Sequence, residues 1–318
     1  MKAIVYSSYG KPEVLSLADV NTPAPKGDEI LIRIHATAVN SADIRLRAAN
    51  PSMVRLFWGM FRPKNPILGG VFSGEIVGMG PEVKRFKVGD AVFGLTTLKM
   101  GAYGEYLSIS EKEAIARKPE NLSHAEAASL PFGGHTAWHF FKKAKIQSGS
   151  KVLIYGASGA VGCAAVQFAK HFGAEVTAVC SARNAETMRS IGADHVLDYA
   201  KDDLGALRGQ FDVVMETVDR SSVRLMASLV KAGGILILSA AMMGGALFGL
   251  MLTLFGGKRL GMGMVKAGPE DMEAMANLAA QGRFRPVIDR VMPMEQIVEA
   301  HRYVDLGHKR GNLIISMA

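Results

Sequence analysis

Three evenly spaced glycines, Gly156, Gly159 and Gly162, stand in the run Lys151-Val-Leu-Ile-Tyr-Gly-Ala-Ser-Gly-Ala-Val-Gly. A short apolar stretch precedes them, and a stretch with helical spacing, Ala160 to Phe172, follows. A strand that turns through glycine into a helix lets the backbone approach a polyphosphate closely. The first N–H groups of the helix and its partial positive charge then hold the anion. Gly156, Ala157, Ser158, Gly159, Ala160, Val161 and Gly162 are therefore candidate dinucleotide-binding residues. The spacing is Gly-x-x-Gly-x-x-Gly, not the commoner Gly-x-Gly-x-x-Gly, so the strand–turn–helix context carries the assignment.

The next apolar run, Val176 to Cys180, ends in Cys180-Ser-Ala-Arg-Asn184. An enzyme that prefers NADH carries an acid near this point to hold the ribose hydroxyls. Here a hydroxyl, Ser181, and a guanidinium, Arg183, stand instead, a pair suited to a 2′-phosphate. NADPH is the expected cofactor. The net charge of +8 also favours an anionic ligand, nucleic acid among them, but the basic residues are scattered rather than run together. No nucleic-acid partner is expected.

Only two cysteines occur, Cys163 and Cys180. They imply no disulfide framework and cannot build a four-thiolate zinc site, and a reducing, cytoplasmic setting is the simplest expectation. The N-terminal Met-Lys-Ala-Ile-Val-Tyr reads as a first strand rather than as a signal peptide.

These residues need elements to position them. Residues 1–120 read as short strands with turn signals, including Ile30–Ile34, Val71–Met79 and Ala91–Phe93, with helices near 41–49 and 53–61. The rhythm changes at about residue 122, where Ser123 and Glu126 form a candidate capping box. Strands and helices then alternate through 152–155, 160–172, 176–180, 185–191, 195–197, 213–215 and 235–239, the pattern of a parallel sheet flanked by helices. Helix candidates at 269–281 and 293–303 and a last strand at 312–316 are expected to return to the first domain. No charged residue occurs from Ala232 to Gly257. Glycines break this run, so Met242–Phe255 is read as a pocket wall or subunit contact rather than a membrane span, and peripheral membrane contact stays open.

The whole chain resembles the zinc-independent quinone oxidoreductases of the medium-chain dehydrogenase/reductase superfamily. The resemblance rests on Ala38-Val-Asn-Ser-Ala-Asp43, Gly74-Glu-Ile-Val-Gly78 with Phe86-Lys-Val-Gly-Asp-Ala-Val92, and Gly101-Ala-Tyr-Gly-Glu-Tyr106. It extends through Leu130-Pro131, Thr136-Ala-Trp138, the glycine turn, Gly192-Ala-Asp-His-Val196, Tyr199 and Gly307-His-Lys-Arg-Gly-Asn312. It implies an α/β fold in which a Rossmann doubly wound parallel sheet is inserted into a GroES-like β-domain. The GroES-like catalytic domain would span 1–121 and 269–318, and the cofactor domain 122–268. It further implies an active site in the cleft, Tyr199 near the 2′-phosphate with Ser181 and Arg183, Thr136 and Asn312 with the cofactor, and Asn40 and Asp43 lining the pocket. Many such proteins are dimers, so a homodimer is expected.

Zinc-dependent relatives place a Cys where Asn40 stands and a His-Glu pair where Gly70-Val71 stands, so no metal is expected. Arg45 stands where many quinone reductases have a tyrosine. Without a metal to stabilise an alkoxide, hydride addition to a conjugated carbonyl is the expected reaction. The growing enolate needs donors, which Asn40 and Tyr103 or Tyr106 can supply, and an apolar pocket, to which Phe57-Trp58 would contribute. His124, His135 and His139 are read as structural. A quinone is the first expected acceptor. An alkenal or enone reductase is the alternative on the same fold, and a non-catalytic NADPH-binding protein with nucleic-acid affinity is the alternative from another class.

Overall fold

A computed structural model describes residues 1–96, 99–239, 257–263 and 265–317. The chain opens with β1 (Lys2–Val5), β2 (Ser16–Asp19), β3 (Glu29–Val39), α1 (Ser41–Ala48), α2 (Val54–Trp58), β4 (Val71–Met79), β5 (Ala91–Leu95), β6 (Tyr106–Ser110) and β7 (Ile115–Arg117). Next come α3 (His124–Ser129), α4 (Pro131–Ala144), β8 (Lys151–Tyr155), α5 (Ala160–His171), β9 (Glu175–Cys180), α6 (Ala185–Ser190), β10 (His195–Asp198), β11 (Phe211–Glu216), α7 (Val223–Leu229), β12 (Val230–Leu238) and β13 (Arg259–Gly261). The chain closes with α8 (Pro269–Ala280), β14 (Ile288–Pro293), α9 (Ile297–Asp305) and β15 (Asn312–Ser316).

These elements divide into two compact units. The first comprises Met1–Phe132, Ala267–Gly282 and Pro286–Ala318, the second Gly133–Lys266 and Arg283–Arg285. The C-terminal elements thus return to the first unit. Helix α3 belongs there too, although the change of rhythm at 122 had grouped it with the second domain. Its Ser123–Glu126 capping box forms as expected. The helix then packs on β3, β4 and β15, which makes it part of the first core.

In the first unit the strands run in the order β14-β15-β3-β4-β5-β7, with β6 also paired to β3. Ile30, Ile32 and Ile34 point inward with the two-residue period of a strand, and Arg33 points out. Strand β3 outruns that alternation, because Ala36–Val39 is buried continuously where α3 lies on the sheet. The core gathers Ile30, Ile32, Phe72, Ile76, Tyr103, Ile109, Ile297, Val304 and Ile315.

The second unit holds a sheet of order β10-β9-β8-β11-β12-β13, every pairing parallel. Numbered from β8, that is 3-2-1-4-5-6, the doubly wound order expected of a Rossmann sheet. The order reverses between β8 and β11, so their carboxyl ends frame the crevice where such sheets bind ligands. The stretch Met242–Phe255 lies outside the described residues. Among the described residues no helix is long and apolar enough to cross a membrane.

Candidate cofactor and acceptor site

Strand β8 ends at Tyr155, and the chain turns at Gly156, whose φ of +78° puts it in the left-handed region. A side chain there would meet Thr217 Oγ1 and Val218 at 2.6 Å. Helix α5 starts four residues on, with Gly159 as its N-cap and Cys163 N to Gly159 O, 2.8 Å, as its first internal bond. The amides of Ala160, Val161 and Gly162 come before that bond and have no acceptor within the helix. A Cβ on Gly162 would lie 2.4 Å from Gly156 O, so the helix is seated directly on the turn. At Gly159 the nearest atom to a Cβ is Gly156 O at 3.5 Å, which leaves that position open to a ligand. The turn is thus closed against its own protein and open toward a phosphate, and a dinucleotide fits it. Gly133 on α4, which the sequence reading passed over, supports it from behind. A Cβ there would come within 2.2 Å of Ala160 O, so α4 and α5 touch backbone to backbone. Thr136 lies one turn further along α4, half-buried.

Ser181, Arg183 and Tyr199, the residues expected around the adenosine 2′-phosphate, follow the ends of β9 and β10. Strands β9 and β10 pair through Cys180 and Asp198, so the residues that follow each strand are neighbours. Ser181 is half-buried and its Oγ accepts from Asn184 Nδ2 at 3.1 Å. Arg183 is exposed, and Tyr199 is exposed with its ring 6.4 Å from that of Tyr155. The nearby carboxylate, Asp198, is turned into its own loop, where Oδ1 accepts from Ala200 N at 3.0 Å.

Across the switch point, Thr217 Oγ1 donates to Tyr155 O at 2.9 Å and to Gly156 O at 3.1 Å, tying β11 to the glycine turn. Glu216, buried at the end of β11, accepts from the amides of Val218, Asp219 and Arg220. Burial raises its carboxyl above the ordinary value. This carboxylate fixes the loop that borders Gly156. Nothing in its local sequence marks it, since one acid at a strand end has no signature of its own.

The first unit, by itself, holds a buried polar chain. Asn40 caps α1, and its Oδ1 faces the Asp43 amide in a capping-box arrangement without making a hydrogen bond. Asp43 returns Oδ2 to Asn40 N at 2.8 Å and takes Gly69 N at 3.2 Å on Oδ1, with the Gly70 amide and the Tyr103 hydroxyl as further donors. Gly69 has a φ of +99° and lies so close to Tyr103 that a Cβ would stand 2.6 Å from its backbone N, so only glycine aims these two amides at Asp43. Burial outweighs the donors and lifts the Asp43 carboxyl to about 6. Tyr103 Oη is 3.2 Å from His301 Nε2, and His301 Nδ1 is 3.1 Å from Arg47 Nη1. A guanidinium only donates, so Nδ1 must accept and Nε2 must carry the ring proton. The chain therefore runs in one sense: Arg47 donates to His301, His301 to Tyr103, and Tyr103 to Asp43. Arg47 is held in turn by Asp305 at 2.8 Å. Burial, aided by the Arg47 charge, lowers His301 to about 3.

Two family models match the chain. An alcohol dehydrogenase GroES-like domain covers residues 26–120, and a zinc-binding dehydrogenase model covers residues 191–315. The 2-methylene-furan-3-one reductase of Solanum lycopersicum is 33% identical over 99% of this chain and 79% of its own length. The chloroplast envelope quinone oxidoreductase homolog of Arabidopsis thaliana is 31% identical over 99% and 98%. Among solved structures, the quinone oxidoreductase from Coxiella burnetii superposes with a TM-score of 0.87 at 28% identity, covering 100% of this chain and 99% of that one. The chain belongs to the medium-chain dehydrogenase/reductase superfamily. Within it, the chain stands among the quinone oxidoreductase-like members, as an oxidoreductase that works with a nicotinamide cofactor.

Seen as a dehydrogenase/reductase of this kind, the chain distributes its candidate residues unevenly. The glycine turn, Thr136, Ser181, Arg183 and Tyr199 lie in the Rossmann unit. Asn40, Asp43, Tyr103 and Asn312 lie in the GroES-like unit. Asp43 and Tyr103, expected as catalytic residues, are fully buried and bonded to one another. Asn312 begins β15, and the β15–β3 register continued one step past Leu313–Val39 sets it opposite Asn40. Both amide oxygens are buried and form no hydrogen bond. His301 and Arg47 escaped the sequence reading, because their partners are hundreds of residues away in the chain. Phe57 and Trp58, expected to wall one pocket, point apart. Trp58 is buried and donates to Tyr6 Oη at 2.8 Å, whereas Phe57 is 77% exposed. Of the histidines, His124 Nδ1 meets Ser73 Oγ at 2.8 Å and His135 Nε2 meets Lys266 O at 2.7 Å. Among the described residues no group of three or more His, Cys, Asp or Glu side chains is gathered as a metal site.

Proposed function

We propose that this oxidoreductase reduces conjugated carbonyl compounds with NADPH and without zinc, quinones being the first acceptor class. The observation that carries the reading is the state of the Asn40–Asp43 turn. Asp43 is saturated by the amides of Asn40, Gly69 and Gly70 and by Tyr103, so it has no lone pair to spare for a metal or a substrate proton. The group left for a developing oxyanion is the Asn40 amide, whose Nδ2 has only Ala38 O at 3.5 Å. An amide donor stabilises an enolate or a quinol oxygen. It does not lower the pKa of an alcohol as a zinc ion does.

NADPH is supported by the hydroxyl, guanidinium and tyrosine beyond β9 and β10, and by the turning away of Asp198. When bound, the nicotinamide supplies the hydride. The chain holds the phosphates at the glycine turn, and Thr136 is the candidate neighbour of the nicotinamide. Cys163 and Cys180 are both buried thiols, which suits a reducing, cytoplasmic setting. Alkenals and enones form a second acceptor class, favoured by the names of the tomato relative and of an NADPH-dependent alkenal/one oxidoreductase from Arabidopsis thaliana, 28% identical.

The test is cofactor oxidation by the purified protein against 1,4-benzoquinone, 2-hexenal and methyl vinyl ketone, beside 1-butanol oxidation with NADP. Turnover of conjugated acceptors, and a kcat roughly ten- to a few-hundredfold lower in Asn40→Ala, is expected. Turnover of the alcohol with no conjugated acceptor reduced would overturn the reading.

A further inference from the structure

Helix α2 and the loop after it carry an apolar surface that faces out. Val54 and Trp58, four residues apart, turn inward onto Met100, with Tyr9 and Leu46 packed against them. The segment is held at several points: Tyr9 Oη donates to Gly59 O at 2.7 Å, Trp58 Nε1 to Tyr6 Oη at 2.8 Å, and Lys64 N to Trp58 O at 2.8 Å. With one face fixed in this way, the opposite one presents Met53, Leu56, Phe57, Met60 and Phe61 to solvent, Phe57 and Phe61 being 77% and 89% exposed. A helix with apolar residues on both faces is buried on both in a self-sufficient fold, and a cluster of this kind marks an interaction surface.

Charge identifies the partner. No acidic residue occurs between Asp43 and Glu75, and Arg55, Arg62 and Lys64 alternate along the chain with the apolar tips and are exposed. Arg55 sits over the Tyr9 ring, 5.1 Å from its centroid, beside the tips rather than among them. The whole chain is also cationic, at +8. Aromatic and aliphatic tips in a segment whose charged residues are all exposed cations match the layering of an anionic bilayer: acyl chains within, phosphate at the rim. We propose that residues 53–64 dock this protein on the surface of membranes that contain anionic phospholipid, with Phe57 and Phe61 inserted among the acyl chains and Arg55, Arg62 and Lys64 on the headgroup phosphates.

Flotation with vesicles of phosphatidylcholine alone, and of phosphatidylcholine with phosphatidylglycerol, tests it. Binding to the anionic vesicles that weakens with added salt is expected. Phe61→Asp should weaken that binding about tenfold or more, because one buried phenyl ring is worth roughly that factor or more. Arg62→Glu with Lys64→Glu should abolish the preference for phosphatidylglycerol. Circular dichroism and the thermal midpoint establish that each variant is folded, and sedimentation velocity reports self-association. Absence of vesicle binding, equal binding to both compositions, or binding unchanged in folded Phe61→Asp would overturn the proposal. So would a self-associated wild type that Phe61→Asp converts to monomer without any vesicle binding, because the patch would then be covered by a second copy.

Discussion

The hydroxyl of Tyr103 and the imidazole of His301 are joined by a 3.2 Å hydrogen bond, although 198 residues separate them in the chain. Because Arg47 occupies Nδ1, the proton on Nε2 points at Tyr103 and leaves its O–H for Asp43. The orientation of Asp43, and with it the start of α1 at Asn40, is therefore set from beneath by a helix near the C-terminus.

Tyr103→Phe keeps the ring and removes this link. His301 Nε2 and one carboxylate oxygen of Asp43 then lose a buried partner, and leaving such groups unpaired costs about 1–3 kcal/mol. Urea unfolding should show a loss of that size, and the double variant with His301→Gln should lose less than the sum of the single ones. Additive losses would mean that the two residues are not coupled.

The same pair yields a pH dependence with a definite sign. His301 stays neutral in the folded protein down to about 3, against 6.5 for an ordinary histidine. Between those values the unfolded chain binds more protons, so this contribution to stability is present above 6.5 and is lost as pH falls. Asp43 acts in the opposite sense. Its folded value of about 6 lies above the ordinary 3.8, so its contribution is present at low pH and is lost as pH rises through that window. The two largely offset each other between roughly pH 4 and 6, because each exchanges one proton there. The stability difference between wild type and His301→Gln should therefore grow with pH from acid toward neutrality, by up to about 1.4 kcal/mol per unit. A difference that stays flat would show that His301 is not buried neutral.

What could be read in the sequence follows the range of each interaction. The glycine turn, the capping box at Ser123 and strands such as Val71–Met79 are local, and their signals lie within a few residues. The placement of α3 depended on packing against β3, β4 and β15, which no window across residue 122 contains. Asn40 and Asp43 were legible through the family pattern, but Arg47, His301 and Glu216 were not. Their roles come from partners brought together by the fold or, for Glu216, from amides that follow a single unremarked acid. Gly133 was missed for a similar reason: its meaning is the backbone of Ala160 two angstroms from where a side chain would be.

Arg183→Ala should reduce the preference for NADPH over NADH, which is expected to be at least about tenfold for a guanidinium–phosphate contact. Affinity for NADH should hardly change, because Arg183 is exposed at the end of β9 and supports no core. Fluorescence titration with both cofactors measures this. Equal affinities in the wild type would show that the Ser181–Arg183–Tyr199 group is not a phosphate site.

The glycine turn separates folding from binding at two positions three residues apart. A methyl group on Gly162 would lie 2.4 Å from Gly156 O and 2.6 Å from Ala157, all backbone that cannot move without lifting α5 from the turn. Gly162→Ala should therefore destabilise the protein by about 1–3 kcal/mol, as overpacking of a rigid site does. A methyl group on Gly159 meets only Gly156 O, at an ordinary 3.5 Å, and the φ of −78° at that N-cap suits alanine. Gly159→Ala should keep its stability to within about 1 kcal/mol, the usual cost of losing a glycine cap. It should nevertheless bind NADPH at least about tenfold more weakly, because the methyl group projects into the space where the pyrophosphate meets the first amides of α5. Thermal unfolding and cofactor titration on both variants decide the matter. If Gly159→Ala binds cofactor as the wild type does, the dinucleotide does not lie across this turn.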